Sequence, residues 1–174
     1  MLPQELVRKI IQKNKVVNDA EFKALEKSAS ENGISLEEEL LRKNLLWEDD
    51  LYRLASKEWG VPFIKLTDMI IKTEVLNSVP QPIAQTHNII AFDKTDSELK
   101  VAMLNPKDLE IIEFLGKQTG RKIVVQLTNP ASINYVLKLY RHDIASEIQE
   151  PKPSDTTKPP IVKIVQSLLE NAIL

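Results

Sequence analysis

Apolar residues recur at helical spacing through the first third of the chain. Leu6, Ile10 and Ile11 fall on one face with Val7 beside them, and Phe22, Leu25 and Ala29 form a second face after an Asn18-Asp19 cap. Asn32-Gly33 stops that helix. Ser35 then caps a run from Leu36 to Leu41, with Glu38 placed to complete a capping box. A further helix is predicted from Glu48 to Trp59, with Leu51, Leu54 and Ala55 inward and Gly60 as its terminator. Residues 1–60 therefore read as a helical subdomain.

A weak internal repeat lies inside it. Ile10-Ile11-Gln12-Lys13-Asn14-Lys15-Val16 aligns with Leu40-Leu41-Arg42-Lys43-Asn44-Leu45-Leu46, and Asp19 and Asp49 follow at the same offset. Each copy predicts a helix, a turn at the Asn and a capped helix. In this register Phe22 falls opposite Tyr52 rather than Leu51.

Residues 61–142 change character. Val61-Pro62-Phe63-Ile64 reads as a short extended segment, and Ser78-Val79-Pro80 opens a short helix through Ala84. Two strands, Asn88 to Phe92 and Leu99 to Leu104, flank a polar Lys94-Thr95-Asp96-Ser97 turn. Asn105 as cap and Pro106 at the first helical position predict a helix with Leu109, Ile112 and Leu115 buried, ended by Gly120. The strand Lys122 to Leu127 follows. Asn129-Pro130 repeats the helix-start device before Ile133, Val136, Leu137 and Tyr140. The predicted class is α+β: a helical subdomain, then a small sheet carrying helices.

From 143 to 160 the chain turns polar and proline-bearing, a composition unable to bury enough apolar surface to order itself, which predicts a flexible linker. Residues 161–174 return to an amphipathic helical pattern with Val162, Val165, Leu168, Leu169 and Ala172 on one side. A lone apolar helix needs something to pack on, so this stretch is predicted to be the first helix of a further domain, cut short.

Composition narrows the chemistry. The 174 residues carry 23 Lys and Arg against 25 Asp and Glu, a formal net charge of -2, which gives no electrostatic case for nucleic acid. Without cysteine there are no disulfides, thiolate metal sites or cysteine nucleophiles. No signal-peptide core or membrane-spanning apolar run is present in the sequence, so a membrane is expected to be reached only through a partner.

No catalytic constellation emerges. Of the four glycines, Gly116 and Gly120 stand one residue too close for a phosphate-binding loop, and Arg121 follows where a Lys is required. His87 and His142 have no second ligand at metal spacing. Glu37-Glu38-Glu39 and Glu48-Asp49-Asp50 read as solvated first turns, favoured by the helix dipole. Catalytic, cofactor and metal residues are therefore expected to be absent. Trp47, Tyr52 and Trp59 cluster in a chain poor in aromatics. Trp59 to Phe63 is expected to pack the helical part on the sheet. A partner surface is placed around Trp47, Asp50 and Arg53, an aromatic and charged helix face.

Leu51-Tyr52-Arg53-Leu54-Ala55-Ser56-Lys57-Glu58-Trp59-Gly60-Val61-Pro62-Phe63-Ile64-Lys65-Leu66 resembles a leucine, alanine, then Gly-x-Pro-Phe-x-x-Leu signature. Leu99-Lys100-Val101-Ala102-Met103-Leu104-Asn105-Pro106-Lys107-Asp108-Leu109 is its most specific continuation, and Pro160-Ile161-Val162-Lys163-Ile164-Val165 resembles the opening of a following domain. Over about residues 36 to 174 the chain resembles the N-terminal domain of the ATPases of type II secretion and type IV pilus assembly. The resemblance implies a cytoplasmic domain that docks its motor to the cytoplasmic part of an inner-membrane assembly-platform protein, in a homo-hexameric parent. ATP and Mg would belong to the motor domain downstream, and these residues by themselves are expected not to hydrolyse ATP.

Some relatives of this type bind cyclic di-GMP through a duplicated Arg-Leu-Gly…Gly…Leu…Gln motif. The internal repeat resembles that duplication in layout. Its residues depart from it: Ser35-Leu36-Glu37 stands at the Arg-Leu-Gly, Asn44 at the turn glycine and Glu58 near the glutamine, while the first copy has Leu6-Val7-Arg8. Cyclic di-GMP binding is thus the alternative to docking.

Overall fold

In the computed structural model, eight helices and three strands are found among the described residues, 1–147. The chain divides into two compact units, Met1–His142 and Asp143–Leu174. The first begins with α1 (Gln4–Lys13), α2 (Asp19–Asn32), α3 (Leu36–Arg42) and α4 (Glu48–Trp59). Both predicted caps form full boxes: Asn18 with Glu21, and Ser35 with Glu38. Gly33 and Gly60 end α2 and α4 at φ 63° and 67°, where a Cβ is strained. Val7, Ile10, Ile11, Leu25, Leu36, Leu40, Leu51, Tyr52 and Ala55 make the buried core of this part, with Leu54 half-buried at its edge.

The repeat is present, but its register is 29 residues, not 30. Lys15 N–H bonds Gln12 O and Val16 N–H bonds Ile11 O; Asn44 N–H bonds Leu41 O and Leu45 N–H bonds Leu40 O. The left-handed turn residues are Lys15 (φ 50°) and Asn44 (φ 53°), and the following N-caps are Asn18 and Trp47. Matching Asn14 to Asn44 aligned letters, whereas backbone handedness aligns Lys15 with Asn44 and brings Phe22 opposite Leu51. The turn conformation marks the register because only one residue in each turn between the paired helices, Lys15 or Asn44, takes positive φ.

The second part holds a 3-10 turn at Leu66–Asp68, α5 (Thr73–Leu76), α6 (Gln81–His87), β1 (Ile89–Lys94), β2 (Glu98–Met103), α7 (Leu109–Thr119), β3 (Lys122–Leu127) and α8 (Pro130–Glu147). The sheet order is β1-β2-β3. β1 and β2 pair antiparallel with a register shift at Phe92, and β2 and β3 pair parallel across the α7 crossover. Residues of β1 and β2, with Val79, Ile111, Leu115, Ile133, Val136 and Tyr140, form a second core. The Tyr140 hydroxyl donates toward the carbonyls of Leu76 and Val79, tying α8 to the loop before α6.

Four details depart from the sequence reading. α6 begins at Gln81, behind an N-cap at Pro80, and the unpredicted α5 precedes it. α7 is capped by Asp108, whose side chain accepts from Ile111 N–H, while Asn105 closes a turn onto Lys107 N–H. That later start leaves Leu109 65% exposed, and Ile111 with Leu115 takes the buried face. α8 continues to Glu147, past the expected linker start at 143, because residues 143–147 contain no Pro or Gly. The remainder of the linker and the helix placed at 161–174 lie outside the described residues.

Candidate functional site

The helical and sheet parts meet where two helix N-termini converge. Pro62 O accepts from Leu127 N–H, and Ile64 N–H donates to Leu127 O, each at 2.8 Å, so Phe63 lies as a one-residue strand beside β3. This bears out the packing role expected of the Trp59 to Phe63 stretch. Leu127 in turn sits in the core of the helical part. Thr128 Oγ1 donates to Ile64 O at 2.8 Å, and Ser132 Oγ accepts from Leu66 N–H at 3.2 Å.

The acidic start of α4 completes the junction. Asp49 accepts from Lys65 Nζ at 2.7 Å through one oxygen and from Asn129 Nδ2 at 2.5 Å through the other. Asn129 itself caps α8, accepting from Ser132 N–H at 2.8 Å. Glu48 accepts from Ala131 N–H at 3.3 Å, in the first turn of α8. Burial raises the Glu48 carboxyl above its ordinary range, and the Asp49 partner raises the Lys65 ammonium. Two of the three acids read as a solvated helix start are instead the joint between the two cores.

Three further carboxylates tie the helices of the repeat. Glu37, 5% exposed, accepts from Leu2 N–H at 2.7 Å and from the Tyr52 hydroxyl at 2.9 Å. Glu39, with a fully buried side chain, accepts from Ser28 Oγ at 2.7 Å and pairs with Arg42 and Lys43. Glu58 on α4 pairs with Lys9 at 2.7 Å and with Lys13, both on α1. The Ser28 hydroxyl and the Arg42 and Lys43 cations hold Glu39 below the usual carboxylate range, and Lys13 and Lys9 do the same for Glu58. One signal of this was in the sequence: Glu37 lies three residues before the buried Leu40 and four before the half-buried Leu41.

Trp47, Asp50 and Arg53 come together around a hollow of about 470 Å³, lined also by Glu48 and Asp49. Trp47 is 73% exposed and caps α4 without any side-chain bond to the helix. Asp50 is exposed and makes no hydrogen bond or ion pair among the described residues. The Arg53 guanidinium stacks over the Phe63 ring, 5.0 Å from its centre. His87 does have a carboxylate neighbour, Asp108 at 3.4 Å, supplied by the approach of α7 to α6. No group of three acidic or His side chains placed to hold a metal occurs among the described residues, and no helix there is long and apolar enough to cross a membrane.

Residues 59–147, from the end of α4 through α8, match the MshEN domain. The chain belongs to the MshEN domain family. Along 94% of its length it is also 21% identical to the type IV pilus assembly ATPase PilB of Myxococcus xanthus, and it spans about a third (32%) of that relative. Its fold recurs in solved structures, those of MshE and XpsE among them. A structure of MshE with cdg is 17% identical with a TM-score of 0.62, over 77% of this chain and 97% of that one. The N-terminal domain of XpsE is 15% identical with a TM-score of 0.54, over 79% and 96%. The chain is thus an MshEN domain, similar to part of a type IV pilus assembly ATPase and alike in fold to MshE and to the N-terminal domain of XpsE. Its most specific sequence run, around Val101-Ala102-Met103, is the buried central strand β2. The helical repeat, α1 to most of α4, lies before the MshEN match.

Proposed function

We propose that this chain is the docking domain of a secretion or type IV pilus assembly ATPase, binding the cytoplasmic part of an inner-membrane assembly-platform protein through the surface around Trp47, Asp50 and Arg53. One observation carries the reading. In the two copies of the repeat, the equivalent N-caps are Asn18, which closes a capping box, and Trp47, which caps nothing and exposes its indole. Ala or an apolar residue at this position costs about 1 kcal/mol relative to Asn. A large aromatic kept there against local preference is what an interface anchor looks like.

On this reading the domain works in the cytoplasm, held at the membrane through its partner, and ATP hydrolysis in a hexameric parent belongs to the motor. Trp47→Asn is the decisive variant. It restores the cap, so its melting temperature rises, while capture of the platform protein's soluble cytoplasmic fragment falls by about tenfold or more. Unchanged capture would reject the surface, and failure of the wild-type chain to capture the fragment would reject the docking reading itself. Phosphate release by the isolated chain on adding ATP is expected to stay at background.

A second reading, binding of cyclic di-GMP, draws support from the fold shared with MshE in a structure with cdg. It ranks lower because the corresponding positions here are engaged within the chain. Ser35 caps α3, Glu37 is held by Leu2 and Tyr52, and Glu58 is held by Lys9 and Lys13. A dinucleotide phosphate would meet carboxylates at two of them. Calorimetry with cyclic di-GMP decides: micromolar or tighter binding reverses the ranking.

A further inference from the structure

The two edges of the sheet are finished differently. Along β1 the register shifts at Phe92, Asp93 and Lys94 put charges at the strand end, and α5 and α6 pack against the strand. A bulge, charges and a covering helix are the devices that keep an edge from pairing with another chain. β3 has none of them between Ile123 and Gln126. Its ladder to β2 is regular, the run is Ile-Val-Val-Gln, and Lys122 stands only at its start.

Which β3 peptides point outward follows from the bonds at its two ends. Lys122 N–H donates to Ser97 O at 2.9 Å and Thr128 N–H to Met103 O at 3.1 Å, so the even-numbered residues turn their main-chain groups toward β2. Leu127, of opposite parity, turns its groups outward and meets Pro62 O and Ile64 N–H. Ile123 and Val125 share that outward parity, and their N–H and C=O groups have no hydrogen-bond partner among the described residues. The Phe63 stretch does not extend to them, because Val61 N–H bonds Ser56 O at 3.1 Å and the chain turns back to α4 there. Two donors and two acceptors are thus left in line at a repeat of about 7 Å, beside β-branched side chains that are only half-buried.

We propose that an extended segment of the docking partner adds to this edge as a further strand, paired main chain to main chain with Ile123 and Val125 and continuing the line that Phe63 begins. The edge itself specifies the occupant. Its N–H and C=O groups at strand spacing are satisfied by another extended chain, whereas a helix has its own main-chain groups already engaged. The edge is also continuous with the surface around Trp47, Asp50 and Arg53. Arg53 lines that hollow and stacks on Phe63, whose neighbours Pro62 and Ile64 hold Leu127, two residues from Val125. The inference rests on the docking reading, and it names the form of the partner segment that makes the contact.

The test uses the whole chain and the platform protein's soluble cytoplasmic fragment, with two readouts. In amide hydrogen exchange of the free chain, Ile123 and Val125 should exchange faster by about tenfold or more than Val124 and Gln126, which face β2. Adding the fragment should slow Ile123 and Val125 by about tenfold or more. By calorimetry, Val125→Pro should weaken binding about tenfold or more while the thermal melt stays cooperative, since it removes an outward N–H and leaves the β2 ladder whole. The exchange readout needs no variant, so it decides even where proline disturbs the fold. If the wild-type chain binds the fragment but Ile123 and Val125 stay fast, this inference fails and docking stands. Slow exchange of both in the free chain would mean that the edge is already covered, by the chain or, where dilution restores the exchange, by a second copy, and would overturn the proposal. No wild-type binding at all would sink both readings.

Discussion

The hydroxyl of Tyr52, buried in the centre of α4, donates to Glu37 Oε1 at 2.9 Å, and the other oxygen of Glu37 holds the Leu2 N–H at 2.7 Å. Burial, then the facing carboxylate, raises the Tyr52 phenol far above its ordinary value, so it stays a neutral donor. One carboxylate thus ties the N-terminus, α3 and α4 together within an otherwise apolar core.

Tyr52→Phe removes the donor and leaves a buried carboxylate oxygen unsatisfied. We expect a loss of about 2 kcal/mol, read as a lower urea midpoint with an unchanged slope. Adding Glu37→Leu should recover only part of that loss, because the Leu2 N–H would then be orphaned.

The 29-residue register of the repeat makes a prediction that the 30-residue alignment does not. Lys15→Gly and Asn44→Gly relieve a left-handed backbone and should be neutral or stabilising by up to about 1 kcal/mol. Asn14→Gly should destabilise, since Asn14 takes an ordinary backbone and its side chain bonds Ile10 O at 2.9 Å. Thermal melts of the three single variants distinguish the registers.

Asn129 serves both parts of the fold, capping α8 and donating to Asp49. Asn129→Ala should cost about 2 kcal/mol, the sum expected of a lost cap and a lost charge-assisted bond. In a double-mutant cycle with Asp49→Ala, the coupling should be about 1 kcal/mol. Zero coupling would mean that the two cores do not communicate through this bond.

Acid should loosen the helical repeat first. Glu39 and Glu58 have folded-state pKa values below the ordinary 4.5, so their stabilisation is present above that value and is lost as pH falls through the lowered ones. Glu48 runs the other way: its raised pKa makes its contribution largest in acid, and that contribution fades as pH rises. Asp93, held low by Lys100 in the sheet, adds to them, and three lowered groups against one raised predict a net fall in stability below about pH 4.5. Glu58→Gln should flatten that fall, as measured by urea midpoints across the acid range.

The sequence by itself determined the order and type of the main elements, because those follow from local rules. Apolar spacing set α1 to α4, Asn18 and Ser35 set two helix starts, Gly33, Gly60 and Gly120 set three ends, and short apolar runs beside polar turns set the strands. It also carried the family resemblance, whose firmest run is the buried strand β2. The start of α7 and the short α5 were not legible, since Asn105 and Asp108 are both competent caps and nothing local chooses between them. The roles of the charged residues were decided only by tertiary structure. Glu37, Glu39, Asp49 and Glu58 look alike on a helical wheel, and what separates a solvated carboxylate from a buried tie is the element that packs over it. Tyr52, Lys9, Lys65 and Asn129 come to those carboxylates from up to 80 residues away. Glu39 alone has its cations nearby in sequence, Arg42 and Lys43; for the others the partner arrives from a distant element, and no local pattern encodes that arrival.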